Sequence, residues 1–238
     1  MGSSGGIVRV ELDGIEIELL AERAAACGRT VFVADLHFGK SEAYRAVGAA
    51  VPGGDVDEQL ARLASITSRV GAHRVVVLGD LLHVTSGVTE SLVERVATWR
   101  AEQPWSMTLV RGNHDVAAEA LSARWQFELI ESGTVQEGIE LVHDPDQASG
   151  RGVWMAGHIH PAVWIGRRAG GMRVPCFCVR QGVGLVLPAF SVFTSGVRMR
   201  PDGRQRVFAI AGGRVLEVGR PGANGTEGSL SLGHVATS

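Results

Sequence analysis

Val31-Phe-Val-Ala-Asp-Leu-His37 decides how this chain is read: four apolar residues run straight into an acid and a histidine. A short apolar run bounded by polar residues is the pattern of a strand buried on both faces. In extended backbone Asp35 and His37 would project to the same side, because side chains alternate along a strand. Working outward, the same device recurs. Val75-Val-Val-Leu78 runs into Gly79-Asp80, and Met107-Thr-Leu-Val110 leads through Arg111 to Gly112-Asn-His-Asp115. Glu140-Leu-Val142 ends at His143, and Val153-Trp-Met-Ala156 ends at Gly157-His-Ile-His160. Ligands of open α/β sheets gather beyond the carboxyl ends of strands. Five apolar runs that each deliver Asp, Asn or His to such an end predict a cluster of metal ligands.

The intervening segments predict the layers. Val56, Leu60, Leu63 and Val70 recur at helical spacing, with Asp55 placed to cap the helix. Leu92, Val93, Val96 and Trp99 mark another helix, with Ser91 and Glu94 spaced as a capping box, and a further helix is expected around Val116–Ala123. Near the start, Ile7–Val10 and Ile15–Leu19 flank Asp13-Gly14, a hairpin signal. After residue 139 the period changes. Ile139–Val142, Val153–Ala156, Val163–Ile165, Val174–Val179, Val207–Ile210 and Val215–Val218 read as strands joined by turns. An α/β first half and a mostly β second half predict an α/β (α+β layered) fold, a two-sheet β-sandwich flanked by helices. One domain is expected over residues 7–218, with a flexible start at 1–6 and a disordered tail at 219–238, rich in Gly, Ser, Thr and Asn.

Bulk composition excludes several classes. The 238 residues are 45% hydrophobic, enough for a sizeable core. A formal charge of −2 is no footprint for sequence-independent nucleic-acid binding, although it leaves room for a local basic strip such as Arg167, Arg168, Arg173 and Arg180. No stretch is long and apolar enough to span a membrane and no signal peptide is read, so the expected address is cytoplasmic. Three cysteines do not make a disulfide framework. Cys176 and Cys178 would share one strand face, as a zinc pair lacking its second half or, the preferred reading, as packed thiols.

Each short motif has a bland reading. Gly-Asp and Gly-Asn are common turn pairs, and a single histidine after a strand is often a surface residue. The combination is harder to dismiss: of the eight histidines only His73, His83 and His234 lie outside these segments.

The order Asp-x-His, Gly-Asp, Gly-Asn-His-Asp, His, Gly-His-x-His over Val31–Pro161 resembles the calcineurin-like metallophosphoesterase superfamily. Ala34-Asp-Leu-His-Phe-Gly-Lys-Ser41, Gly79-Asp-Leu-Leu-His83, Gly157-His-Ile-His-Pro161 and Leu187-Pro-Ala-Phe190 resemble, more narrowly, the bacterial ligase-associated metallophosphoesterases of DNA repair. The resemblance implies a calcineurin-like fold, DNA as substrate, DNA ligase and helicase partners, and no membrane. It assigns Asp35, His37 and His160 to one metal and Asn113, His143 and His158 to another, with Asp80 bridging. Two divalent ions are implied, Mn²⁺ above all, with Fe or Zn²⁺ as alternatives; carboxylate, amide and imidazole donors suit such ions. The implied reaction is in-line attack by a hydroxide held between the two metals.

By the same resemblance His114 stays off the metals, contacts the phosphate and acts as general acid; otherwise it caps the next helix. Arg111, Lys40 and His83 are the candidate substrate contacts. Lys40, the single lysine, either meets phosphate or is a solvated residue at a helix start. One departure stands out. Many superfamily members carry, three residues after the bridging aspartate, an acid that orients the histidine; here the position is His83. Either His83 serves substrate, or the acid comes from elsewhere, with Asp115 nearest. Three functions follow for test: a metal-dependent phosphodiesterase or nuclease, a phosphoesterase of nucleotides, cyclic nucleotides or lipid-linked diphosphates, and a non-catalytic interaction module on the same fold.

Overall fold

Two sheets stack face to face. In this computed structural model residues 7–51, 53–165 and 171–219 are described. The expected flexible start, the tail beyond 219, and Arg167 and Arg168 of the basic strip lie outside them. The first sheet has seven strands in sequence order: β1 (Val8–Leu12), β2 (Ile15–Leu20), β3 (Ala24–Cys27), β4 (Thr30–Val33), β5 (Arg74–Val77), β6 (Ser106–Val110) and β7 (Phe127–Ile130). Strands β1 to β4 are antiparallel neighbours, and β4 to β7 are parallel. The second sheet contains β8 (Thr134–Gln136), β9 (Ile139–Leu141), β10 (Val153–Ala156), β11 (Ala162–Ile165), β12 (Met172–Arg180), β13 (Gly184–Val186), β14 (Gln205–Ala211) and β15 (Arg214–Val218). Its order is β15-β14-β12-β13-β10-β9-β8, with β11 paired to β12.

Alternation assigns each strand residue to a layer. Phe32 and Val76 point between the sheets, where they pack with Met155, Phe177 and Phe208. Their neighbours Val31, Val33, Val75 and Val77 point the other way, onto helices α2 (Asp55–Val70) and α3 (Glu90–Ala101). Helix α2 buries Val56, Leu60, Leu63 and Ile66 there, each at 3% exposure or less. Burying such a side chain stabilises by roughly 1.5–3 kcal/mol. On the far face of the second sheet Cys176 and Cys178 pack with Trp154 and Met199. Burial pushes the Cys178 thiol up to about 11, and Cys176 higher still, so both stay protonated and packed.

Several local expectations give way to the structure. Helix α3 is capped by Thr89, whose hydroxyl accepts from Leu92 N at 3.3 Å, and not by Ser91 with Glu94. Asp55 opens α2 as its first residue, after Gly54 in a left-handed conformation. The helix expected near Val116 is a 3-10 turn, Asp115–Ala117, followed by the single turn α4 (Ala118–Leu121). A short helix, α1 (Lys40–Ala46), follows the Asp-x-His motif. Strand β3 is nearly all alanine, a poor strand former held by its neighbours β2 and β4. Among the described residues no helix is long and apolar enough to cross a membrane.

Candidate metal centre

The five apolar runs release their chains at one rim. Parallel pairing aligns β4, β5 and β6 in the first sheet and β9 and β10 in the second. Asp35 and His37 follow β4, Asp80 follows β5, Asn113 and His114 follow β6, His143 follows β9, and His158 and His160 follow β10. Backbone bonds tie these loops together. Asp35 N donates to Gly79 O (3.1 Å) and His37 N to Asp80 O (2.9 Å). Across the sandwich, His158 N donates to both Asp35 carboxylate oxygens (3.1 and 3.0 Å).

Asp35 and His37 share the rim for a reason other than strand alternation. Both lie beyond the end of β4 with φ of 56° and 51°, and Asp80, His158 and His160 are also left-handed, at 51°, 69° and 46°. Asp tolerates this region better than most residues, yet each such non-glycine residue costs on the order of 1–3 kcal/mol. The loops therefore turn sharply inward instead of continuing as strands. Glycine is required beside them: a Cβ on Gly112 would stand 2.5 Å from Asp80 Oδ1, and one on Gly157 2.8 Å from Asp35 Oδ2.

The side chains form two groups that could each hold a metal ion, Asp35 with His37 and His160, and Asp80 with His143 and His158. In the first, His37 Nε2 and His160 Nε2 are 3.2 Å apart, and His160 Nε2 is 3.4 Å from Asp35 Oδ1. In the second, His143 Nε2 lies 3.0 Å from His158 Nδ1 and 2.9 Å from Asn113 Oδ1. Asp80 faces both: Oδ1 is 3.4 Å from His143 Nε2, and Oδ2 is 4.0 Å from His37 Nε2. Bonds of roughly 2.1 Å to one cation place neighbouring ligand atoms about 3.0–3.4 Å apart, from right-angled to tetrahedral geometry. The quoted spacings among the three residues of each group, 3.0 to 3.4 Å, fall in that range, and the His143–Asn113 distance of 2.9 Å lies just below it.

Partners outside the groups aim the rings. His143 Nδ1 meets Leu78 O at 3.0 Å and His160 Nδ1 meets Ser195 O at 3.1 Å. As N–H donors to carbonyls, these nitrogens leave the Nε2 lone pairs for the centre. His158 Nε2 lies 3.7 Å from Asp144 Oδ2, which turns its Nδ1 inward. Sequence reading found none of Leu78, Ser195 and Asp144 as partners, since carbonyls carry no residue signature and the acid merely follows His143. Burial, aided by the charges of His160 and Lys40, drives the His37 imidazole down to about 2. That ring is neutral, and its Nδ1 is buried without a hydrogen-bond partner among the described residues. Burial pushes the His160 imidazole down, but Asp35 outweighs it and the net shift is upward. For Asp80, burial raises the carboxyl against the pull of His143 and the His114 amide. Clustered imidazoles and costly buried carboxylates are the donor set that a divalent cation relieves.

His114 stands at the edge. Its side chain is 37% exposed, with Nε2 3.9 Å from Asp80 Oδ2, while its backbone N donates to Asp80 Oδ1 at 3.0 Å. The ring makes no bond capping the following turn. Asp115 does not orient it: one Asp115 oxygen accepts from Leu82 N and the other from Gly112 N, each at 3.0 Å, clamping two site loops together. The ring stacks on His83 instead, with centroids 5.5 Å apart at 23°. Burial and the charges of Lys40 and His114 pull His83 down to about 4. Lys40 is half-buried and its charge acts on His37, His83 and His160. Arg111 is held by Glu131 at 3.0 Å and Glu119 at 3.6 Å.

A cavity of about 140 Å³ adjoins His160 and is lined by Arg23, Arg173 and Thr194. Arg23 is fastened to Ser191 O at 2.6 Å and Arg173 to Thr194 O at 2.8 Å. The loop carrying them closes on the centre, because Phe190 N donates to Ala34 O at 2.7 Å and Ser191 N to Asp35 O at 3.2 Å. Leu187-Pro-Ala-Phe190 was its only sequence signal.

Residues 28–169 match the family model for calcineurin-like phosphoesterases. Among solved structures, the Pseudomonas putida nuclease MPE superposes with a TM-score of 0.76 at 31% identity, covering 89% of this chain and 100% of that one. A protein of unknown function from Aquifex aeolicus aligns at 18% identity over 59% of this chain and 81% of its own, with a TM-score of 0.39. No curated protein matches the sequence.

Proposed function

The chain belongs to the calcineurin-like phosphoesterase family and is a dinuclear metal-dependent hydrolase of phosphoester bonds; from that premise we propose that its substrate is DNA, cleaved as a phosphodiester. The observation that carries the reading is the nuclease relative, 31% identical and matched along its whole length. Beside it stands the geometry. Asp35, His37 and His160 would hold one cation, Asn113, His143 and His158 the other, and Asp80 both. Two divalent cations there acidify a shared water and neutralise the phosphate oxygens when bound. We assign Mn²⁺, because the oxygen and imidazole donors suit it. Ligase and helicase partners in DNA repair, and a cytoplasmic address, belong to the same proposal and rest on the motif resemblance.

The chain's own groups do the remaining work. His114, partly exposed and beside Asp80, is placed to hydrogen-bond a phosphate oxygen and pass a proton to the leaving oxygen. Lys40 adds positive charge next to His37. Arg23 and Arg173 give the strand a basic wall beside His160. Paired with two glutamates, Arg111 is a weaker candidate.

The deciding experiment is one Mn²⁺-supplemented assay on single-stranded DNA, duplex DNA and a small aryl phosphodiester. Cleavage of DNA that stops on chelation is expected. Turnover of nucleotides or cyclic nucleotides without DNA cleavage would move the assignment to a small-molecule phosphoesterase. Metal binding with no hydrolysis of any ester would leave only the interaction module.

A further inference from the structure

We propose that Tyr44 is a stacking platform for an unpaired nucleobase flanking the phosphate held at the metal centre. This rests on the nucleic-acid reading above and names a residue that neither the motif nor the ligand geometry required. Tyr44 is the chain's one tyrosine. It projects from α1 and stacks on His83, with centroids 6.2 Å apart at 26°. His83 in turn stacks on His114 at 23°, so three nearly parallel rings lead from solvent to the residue beside Asp80.

A core role does not account for Tyr44. It is 45% exposed, and its hydroxyl makes no hydrogen bond among the described residues. An exposed aromatic ring fixed by one neighbour offers a flat apolar surface at little entropic cost, which is how proteins take up bases of single strands without reading their sequence. The seat is rigid. The backbones of Gly39, which precedes α1, and Gly87 touch so closely that a Cβ on Gly39 would lie 2.7 Å from Gly87 O. Phe38 also bridges to Leu82, beside His83. Lys40 lies on the same helix and its charge reaches His37, so base and phosphate contacts would share one element. A base inside a duplex is stacked on both faces and cannot use the platform, so the subsite takes a base unpaired at that position.

The test crosses two changes. Tyr44→Ala, Tyr44→Leu and Tyr44→Phe are compared with wild type on an intact oligonucleotide and on one carrying abasic residues around the cleavage position. On intact single-stranded DNA, Ala and Leu should raise KM roughly five- to hundredfold, the range for losing one base stack, while Phe stays near wild type. On the abasic strand the difference between Ala and wild type should vanish. Tyr44→Leu keeps the bulk of the side chain, so a folding defect peculiar to Ala would not hide the result. An unchanged KM in Ala and Leu, a Phe variant as weak as Leu, or an equal penalty on both strands would overturn the platform and leave the nuclease reading intact. A wild-type protein that hydrolyses the small diester but no oligonucleotide would overturn both.

Discussion

At the scale of single residues, the centre is built from groups that are unfavourable by themselves. Five site residues hold left-handed backbone, His37 is a neutral imidazole in a buried position, and the Asp80 carboxyl is raised by burial. The carboxylate that faces both groups and the edge histidine should therefore fail in different ways. Asp80→Ala removes the group that both ligand sets face, so metal content and hydrolysis of an aryl phosphodiester should be lost together. Retained Mn²⁺-dependent turnover would rule out a shared bridging ligand. His114→Ala removes a ring that belongs to neither set and keeps the backbone bond to Asp80. It should keep its metal, checked by elemental analysis, while kcat falls by roughly 10²-fold or more. A parallel fall in metal content would place His114 among the ligands.

At the scale of elements, the site depends on how loops leave their strands. The turn after β6 passes so close to that after β5 that Gly112 has no room for a side chain. Gly112→Ala must displace Asp80 or Asp115, and through Asp115 the loop at Leu82. The expected outcome is a Mn²⁺ requirement shifted upward by at least about tenfold, about 1.4 kcal/mol in metal affinity, with activity largely recovered at saturating metal. A Mn²⁺ titration of the hydrolysis rate checks it, and an unchanged midpoint would show that the turn yields without cost. Helix ends give a contrasting case. The Thr89 side chain bonds only the first turn of α3, so Thr89→Ala should cost about 1 kcal/mol in urea unfolding of the metal-loaded protein and leave the Mn²⁺ midpoint alone.

At the scale of the whole molecule, the centre is a seam. Asp35 and Asp80 come from the first sheet and His143, His158 and His160 from the second, so a cation held by these groups would cross-link the two. Binding to the folded state alone stabilises by mass action, about 2.7 kcal/mol at a hundred times Kd. For a chain of this size that is a rise in Tm of roughly 5–10 °C. Calorimetry with and without chelator should show this difference in the wild type and lose it in Asp80→Ala. Equal melting temperatures for loaded and stripped wild-type protein would mean the seam is held by the apolar layer between the sheets and the His158–Asp35 bonds alone.

The sequence by itself determined the layered architecture, the strand ends and the residue types at the rim. These are properties of period and of local punctuation: apolar runs of four, a turn, then a donor. It placed Cys176 and Cys178 on one face because strand geometry is local. It did not yield β3, whose alanines form a strand only because neighbours supply the partners, nor the cap of α3, where the spacing of Ser91 and Glu94 pointed two residues past Thr89. It brought Asp35 and His37 together by strand alternation, although two left-handed residues do so. Only the tertiary structure decided that Asp115 clamps loops and leaves His114 to His83, that Leu78 and Ser195 carbonyls aim two of the imidazoles, and that Tyr44 continues the ring stack outward. Those are contacts between segments far apart in the chain, made through backbone atoms every residue shares or through rings whose packing depends on where two loops meet. No motif in one segment encodes them.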